Sequence, residues 1–181
     1  MVVFARQVKT PLRNLVSLPV VTTDGEFVAR YSEKGLASLT FPSNRGANLP
    51  ASEDTNQRVP AQIAKWHRLT TAGLKRAVAG QPPGDLPPLD WSAGTEFQRA
   101  VWKAMLKIRP GEARSYSEIA QSIGRPGAVR AVGGACGANP IPVLVPCHRV
   151  IAANKKIGGF SADLNWKRRL LAREGVRFSE S

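Results

Sequence analysis

Residue types that could do chemistry gather in one stretch, Asn139-Pro-Ile-Pro-Val-Leu-Val-Pro-Cys-His-Arg-Val-Ile151. It sets a thiol, Cys147, directly before an imidazole, His148, and a guanidinium, Arg149. A thiol of ordinary pKa, about 8.5, is mostly protonated at neutral pH, so a nucleophilic cysteine needs a base or a positive field nearby. Pro140, Pro142 and Pro146 space the stretch as an apolar extended strand that delivers Cys147 at its end. On such a strand neighbours point to opposite faces, so His148 is expected to reach the sulfur around a turn or through a water molecule. Two readings stay open on this pattern alone: an activated nucleophile, and an inert core cysteine, because free cysteine is among the most buried residue types.

Other candidates are few. The chain has two cysteines, Cys136 and Cys147, and two histidines, His67 and His148. A disulfide framework is therefore not the organising principle, and a reducing compartment is the natural assumption. No Cys-x-x-Cys pair occurs, and a zinc site would need carboxylates that nothing positions, so no metal and no cofactor are expected. A cysteine hydrolase is disfavoured because neither a third catalytic partner nor an oxyanion loop is identifiable. Cys136 is expected as a small core or recognition-helix residue. His67 beside Trp66 is expected to pack on a helix, and Trp91, Trp102 and Trp166 to lie in the core.

The elements that must hold these residues follow from spacing and punctuation. The segment Gln81 to Asp90 carries four prolines and a glycine, which disfavours helix and central strand, and it reads as the connector between two halves. We therefore expect one domain over residues 1–90, with the connector at 81–90, and a second over 91–181. In the first, the runs Val2-Val3-Phe4, Glu26 to Tyr31 and Leu36 to Phe41, with Asp24-Gly25 and Lys34-Gly35 as turns, predict a small antiparallel sheet. Ile63, Trp66, Leu69, Gly73/Leu74 and Val78 predict one amphipathic helix between Pro60 and Gly80. In the second, Thr95-x-x-Gln98 has the form of a capping box. Phe97, Val101, Met105 and Ile108 mark an apolar face, and Pro110-Gly111 ends the run. Ser115 to Gly124 predicts a short helix that Ser117 caps, the turn Arg125-Pro126-Gly127 follows, and a second short helix runs from Ala128 to about Cys136. That pair has the shape of a helix-turn-helix, with an ordinary helical hairpin as the alternative. The fold class is α+β: a small antiparallel sheet with a helix, then a mainly helical domain.

Twenty-six Lys and Arg against thirteen Asp and Glu leave a net charge of +13, which favours polyanionic partners, nucleic acid first. A merely basic soluble protein is what charge alone leaves open. At 43% hydrophobic residues the chain can bury a core. No run approaches the length a membrane helix needs, and the opening residues lack the order of a secretion signal, so no membrane partner is expected and the cell interior is the default address. The Lys167-Arg168-Arg169 run reads as a solvated helix face or a DNA contact.

Pro146-Cys147-His148-Arg149-Val150 closely resembles the active-site signature of the O6-alkylguanine-DNA alkyltransferases, the methylated-DNA–protein-cysteine methyltransferases. The likeness extends through Gly111-Glu112, Ser115-Tyr116-Ser117, Arg130 to Ala135, Asn139-Pro140, Gly158-Gly159-Phe160-Ser161 and Leu170 to Gly175, in the family's order. It covers nearly everything from Thr95 to Gly175, while the first half matches only in outline. The resemblance implies stoichiometric repair, in which an alkyl group passes from O6-alkylguanine in double-stranded DNA to Cys147 after the nucleotide is flipped out. Activity on O4-alkylthymine is left open. His148 would be the base acting through a water, Glu174 the carboxylate that orients it, and Asn139 the brace of the turn. Pro142, Val150, Ile157, Gly158, Gly159, Phe160 and Ser161 would surround the substrate. Tyr116 would press on the adjoining phosphate and donate to the guanine ring. Arg130 would fill the space left in the stack, and Ser117, Arg125, Ala128, Ala131 and Gly133 would meet DNA with Tyr116. Gly134 belongs with the small residues that permit close approach.

The resemblance further implies a monomer, cytoplasmic in a bacterium or archaeon and nuclear in a eukaryote. Many relatives have tyrosine where Phe160 stands and another residue at Gly159, so pocket width is open. Cys147 is intact, which argues against a branch of the family that binds lesions without reacting. A DNA-binding module without chemistry is the competing reading.

Overall fold

The structure is a computed structural model that describes residues 15–42 and 59–180. The expected strand at Val2-Val3-Phe4 lies outside these residues. Three strands form an antiparallel meander: β1 (Val16–Thr22), β2 (Gly25–Ser32) and β3 (Gly35–Thr40). β1 was not among the expected runs. It pairs with β2 from Val16↔Tyr31 to Thr22↔Gly25, and a register shift between Arg30 and Tyr31 interrupts the β2–β3 ladder. The two-residue loops are Thr23-Asp24 and Glu33-Lys34, one position earlier than expected, so that the glycines open the following strands. At Gly35 the glycine is required: its φ is +148°, and a Cβ would stand 2.0 Å from the Pro88 carbonyl oxygen. That close approach lets the proline-rich segment run along β3, with Leu36 N–H donating to Pro88 O and Asp90 N–H to Leu36 O, each at 2.8 Å.

Helix α1 (Ala61–Val78) packs on the sheet through Ile63, Trp66, Thr70, Gly73, Leu74, Ala77 and Val78, with Leu69 only half-buried. Helix α2 (Glu96–Met105) begins with the expected capping box of Thr95 and Gln98. It stops at Met105, short of Pro110, and Ile108 is buried from the following turn. Strand β4 (Arg114–Ser115) leads into helix α3 (Tyr116–Ser122), which Ser115 caps with Glu118 in a second capping box. Ser117 is thus not the cap. It lies in the first turn, and its hydroxyl meets the Ser115 hydroxyl at 2.9 Å. Helix α4 (Val129–Gly137) packs against both α2 and α3.

Residues 139–151 do not form the expected strand. Three prolines withdraw ladder donors, Val143 adopts φ +72°, and Cys147–Arg149 closes a single 3-10 turn. Strand β5 (Val150–Ile151) follows and pairs in parallel with β4. Helix α5 (Leu164–Arg173) is capped by Asp163 and lays Trp166 edge-on against Phe27 of the sheet. One apolar cluster therefore joins the sheet to the centre of the second half. Trp102 and Trp166 are buried in it as expected, whereas Trp91 is half-buried at its margin. Among the described residues no helix is long and apolar enough to cross a membrane.

Candidate active site

Every residue from Ile141 to Val150 is buried, so the turn that carries Cys147 is embedded in the protein. Asn139 takes over the hydrogen bonding that a strand would have supplied. Its Nδ2 donates to Val145 O at 2.8 Å, and its Oδ1 accepts from Ile141 N–H at 3.1 Å. Cys147 is 4% exposed and lines a cavity of about 350 Å³ with Tyr116, Gly133, Cys136, Gly137, Gly159, Phe160 and Ser161.

Behind the turn lies a charged fork. Glu174, at the end of α5, accepts from His148 Nε2 at 3.0 Å, Arg149 Nη2 at 2.8 Å and Arg149 Nε at 2.9 Å. Arg149 Nη1 donates to Ile108 O at 2.6 Å. Burial pushes the Glu174 carboxyl pKa up, but the hydrogen bonds from His148 and Arg149 outweigh it and hold it at about 2. The carboxylate is therefore charged, and His148 must bring a proton on Nε2 to meet it. Burial lowers the His148 pKa against the opposing pull of Glu174, so the ring is neutral near pH 7 and Nδ1 bears the lone pair. That Nδ1 is buried and has no protein partner among the described residues.

Burial raises the Cys147 thiol pKa, with Asn139 and the positive charge of Lys167 opposing it. Lys167 is the residue that its place in a Lys-Arg-Arg run concealed. It is fully buried and donates to Val150 O at 2.7 Å and Gly159 O at 3.0 Å, tying the turn after Cys147 to the cavity wall. Its neighbours in the run stay outside, Arg168 on Glu180 and Arg169 over Trp166. The signal was helical phase, since Lys167 falls three residues after Leu164 and three and four before Leu170 and Leu171.

Tyr116, Gly159, Phe160 and Ser161 line the cavity. Tyr116 Oη donates to Gly159 O at 3.4 Å, and burial raises its pKa to about 12, so it remains a donor. Val150, Ile157, Gly158 and Pro142 do not line it: the first two are buried behind it, and Gly158, at φ +69°, turns the chain beside Ala152 and Tyr116. Cys136 and Gly137 do line it, which was not expected, and the Cys136 thiol donates to the Met105 sulfur at 3.6 Å. Gly133, half-buried, lines the cavity from α4; Ser117, Arg125, Arg130, Ala131 and Gly134 are exposed and Ala128 half-buried along α3, α4 and the turn between them, and none of these lines it. Arg130 makes no ion pair among the described residues.

Residues 96–176 match the family model described as 6-O-methylguanine DNA methyltransferase, DNA binding domain. The chain is 54% identical over 149 residues to the methylated-DNA–protein-cysteine methyltransferase of Methanosarcina mazei, covering 78% of this chain and 85% of that one. To the protein of that name from Mycobacterium tuberculosis it is 58% identical over 84 residues, 46% of this chain, and the match spans about half (51%) of the relative's length. The crystal structure of Mycobacterium tuberculosis OGT in complex with DNA superposes with a TM-score of 0.68 at 38% identity, covering 86% of this chain and 90% of that one.

Proposed function

The chain belongs to the methylated-DNA–protein-cysteine methyltransferase family, and on that premise we propose that it repairs DNA by moving an alkyl group from the O6 atom of a flipped-out guanine to Cys147. One observation carries the reading: a thiol lines a cavity of about 350 Å³, and the residue that follows it is a neutral imidazole whose Nε2 is held by an ionised carboxylate. The buried lone pair on His148 Nδ1 draws the thiol proton away through a bridging water. Glu174 stabilises the imidazolium that forms, and Arg149 keeps Glu174 in place. The sulfur attacks the alkyl carbon, the carbon–oxygen bond breaks, and the electrons return to the purine. Tyr116, which holds its proton well above neutral pH, donates to the ring as that charge grows. The thioether is stable and no residue reverses it, so one protein repairs one lesion.

Chemistry at O6 requires the base to leave the stack. In this reading α3 and α4 act as a helix-turn-helix in the minor groove, with Ser117, Arg125, Ala128, Ala131 and Gly133 against DNA, and Arg130 occupies the vacated place. Pro142, Val150, Ile157 and Gly158 support the pocket from behind, and Asn139 braces the turn. Repair then belongs to residues 91–181 and support to residues 1–90. We take the protein to work as a monomer, wherever the cell keeps its DNA. We take O6-alkylguanine in duplex DNA as the substrate, and O4-alkylthymine as the further lesion to assay.

The test is covalent labelling by a benzylguanine fluorophore, followed by mass spectrometry after reaction with O6-methylguanine DNA. We expect one methyl per protein on the Cys147 peptide and no labelling of Cys147→Ala, which still binds DNA. A folded wild-type protein that is never labelled, or one that clears many lesions, overturns the reading. The first result would leave a DNA binder without chemistry.

A further inference from the structure

The carboxylate behind the thiol sits where α5 ends, and that end is held from the other half of the molecule. Asp24, in the turn between β1 and β2, accepts from Arg173 Nη1 at 2.6 Å and from Arg173 Nη2 at 2.9 Å. The same Nη1 donates to the carbonyl of Val78, the last residue of α1, at 2.7 Å. Arg169, one turn earlier on α5, adds a longer contact to Asp24 at 3.4 Å. Surface ion pairs usually contribute little, but a two-pronged fork onto a carboxylate that is only 5% exposed is the favourable exception. The hydrogen bond from Arg173 holds the Asp24 carboxyl below its usual range, against burial. Gly80 closes on the same place, so tightly that a Cβ there would stand 2.5 Å from Arg173 O. The β1–β2 turn and the end of α1 thus converge on the residue that precedes Glu174.

We propose that Asp24 is a positioning residue for alkyl transfer: by clamping Arg173 it fixes the helix end from which Glu174 reaches His148. The proposal rests on the reading of Cys147, His148 and Glu174 above, and it gives the sheet a task in chemistry performed elsewhere. Glu174 must meet His148 and Arg149 together at 2.8 to 3.0 Å, a geometry that a small displacement of the helix end would break.

The full-length protein tests this with two readouts. One is the rate of benzylguanine labelling. The other is the nitrogen NMR signal of the His148 ring, assignable because the chain has only two histidines. Asp24→Asn should slow labelling about ten-fold or more and move His148 from the Nε2–H form towards a mixture of neutral tautomers. Arg173→Gln should do the same, and the double variant should be no worse than either single one. If Asp24→Asn fails to fold, Arg173→Lys, which keeps the charge and loses the fork, carries the same expectation. Tyr31→Phe is the control: it removes the bond from Tyr31 to His67 Nδ1 at 3.1 Å and should lower stability while leaving both readouts at wild-type values. Wild-type rates and ring signals in a folded Asp24→Asn protein overturn the proposal, as do losses shared by Tyr31→Phe. A wild-type protein that is never labelled at Cys147 instead sinks the alkyl-transfer reading, and the ring signals alone then decide whether Asp24 sets Glu174.

Discussion

Lys167 carries a charge into the interior, and burial lowers its pKa to about 8 while the neighbouring sulfurs pull it back up. Below that pH its ammonium favours a thiolate on Cys147, and above it the favourable field is lost. The labelling rate should therefore stop rising near pH 8 in the wild-type protein. Lys167→Met should start slower at neutral pH and rise without that break, which a pH series of labelling rates checks. Glu174 works in the opposite sense. Its folded pKa of about 2 lies below the ordinary 4.5, so its contribution is present above pH 4.5 and is lost as pH falls towards 2. Glu174→Gln leaves Arg149 buried without a counter-charge and should cost about 3 kcal/mol near neutral pH, flattening the acid limb in urea unfolding followed against pH. The two residues were not equally legible in the sequence. Cys147, His148 and Glu174 stand in a motif, whereas Lys167 is masked by charged neighbours and shows only in the phase of the apolar residues around it.

Helices were legible wherever side chains do their own signalling. The Thr95 and Gln98 box is visible in four letters, and α1 declares itself by its apolar spacing. Helix α3 is the instructive case, because two serines compete for one cap and only Ser115 has an acid three residues on to return the bond. Ser115→Ala should cost about 1 kcal/mol, whereas Ser117→Ala should cost little, measured by chemical denaturation. The Cys147 segment was not legible as a shape. Proline spacing signals extension, but the bonds that hold this segment run from the Asn139 side chain to the backbone, and the turn needs Val143 in the left-handed region. Local propensity carries neither fact.

At the scale of the molecule, the net charge of +13 is not spent in pairing: among the described residues Asp24, Glu112, Glu118, Glu174 and Glu180 pair with a few arginines, and most basic residues are exposed. Affinity for undamaged duplex should fall by about a hundred-fold or more between about 50 and about 200 mM salt, read from a titration series. A flat response would remove phosphate contact as the source of binding. The packing of Trp166 on Phe27 was not legible in the sequence, since it joins residues that only the folded chain brings together. The short parallel ladder of β4 and β5 has a mechanical consequence. Arg114 and Ser115 lead straight into Tyr116, and their partners Val150 and Ile151 lie just past the nucleophile. On the proposed reading, the side chain that presses on the DNA strand and the sulfur that takes the alkyl group are therefore mounted on one gauge. A protein that works in this way measures depth: the proposal has it accept a lesion when an electrophilic carbon arrives at a set distance from the strand it came from.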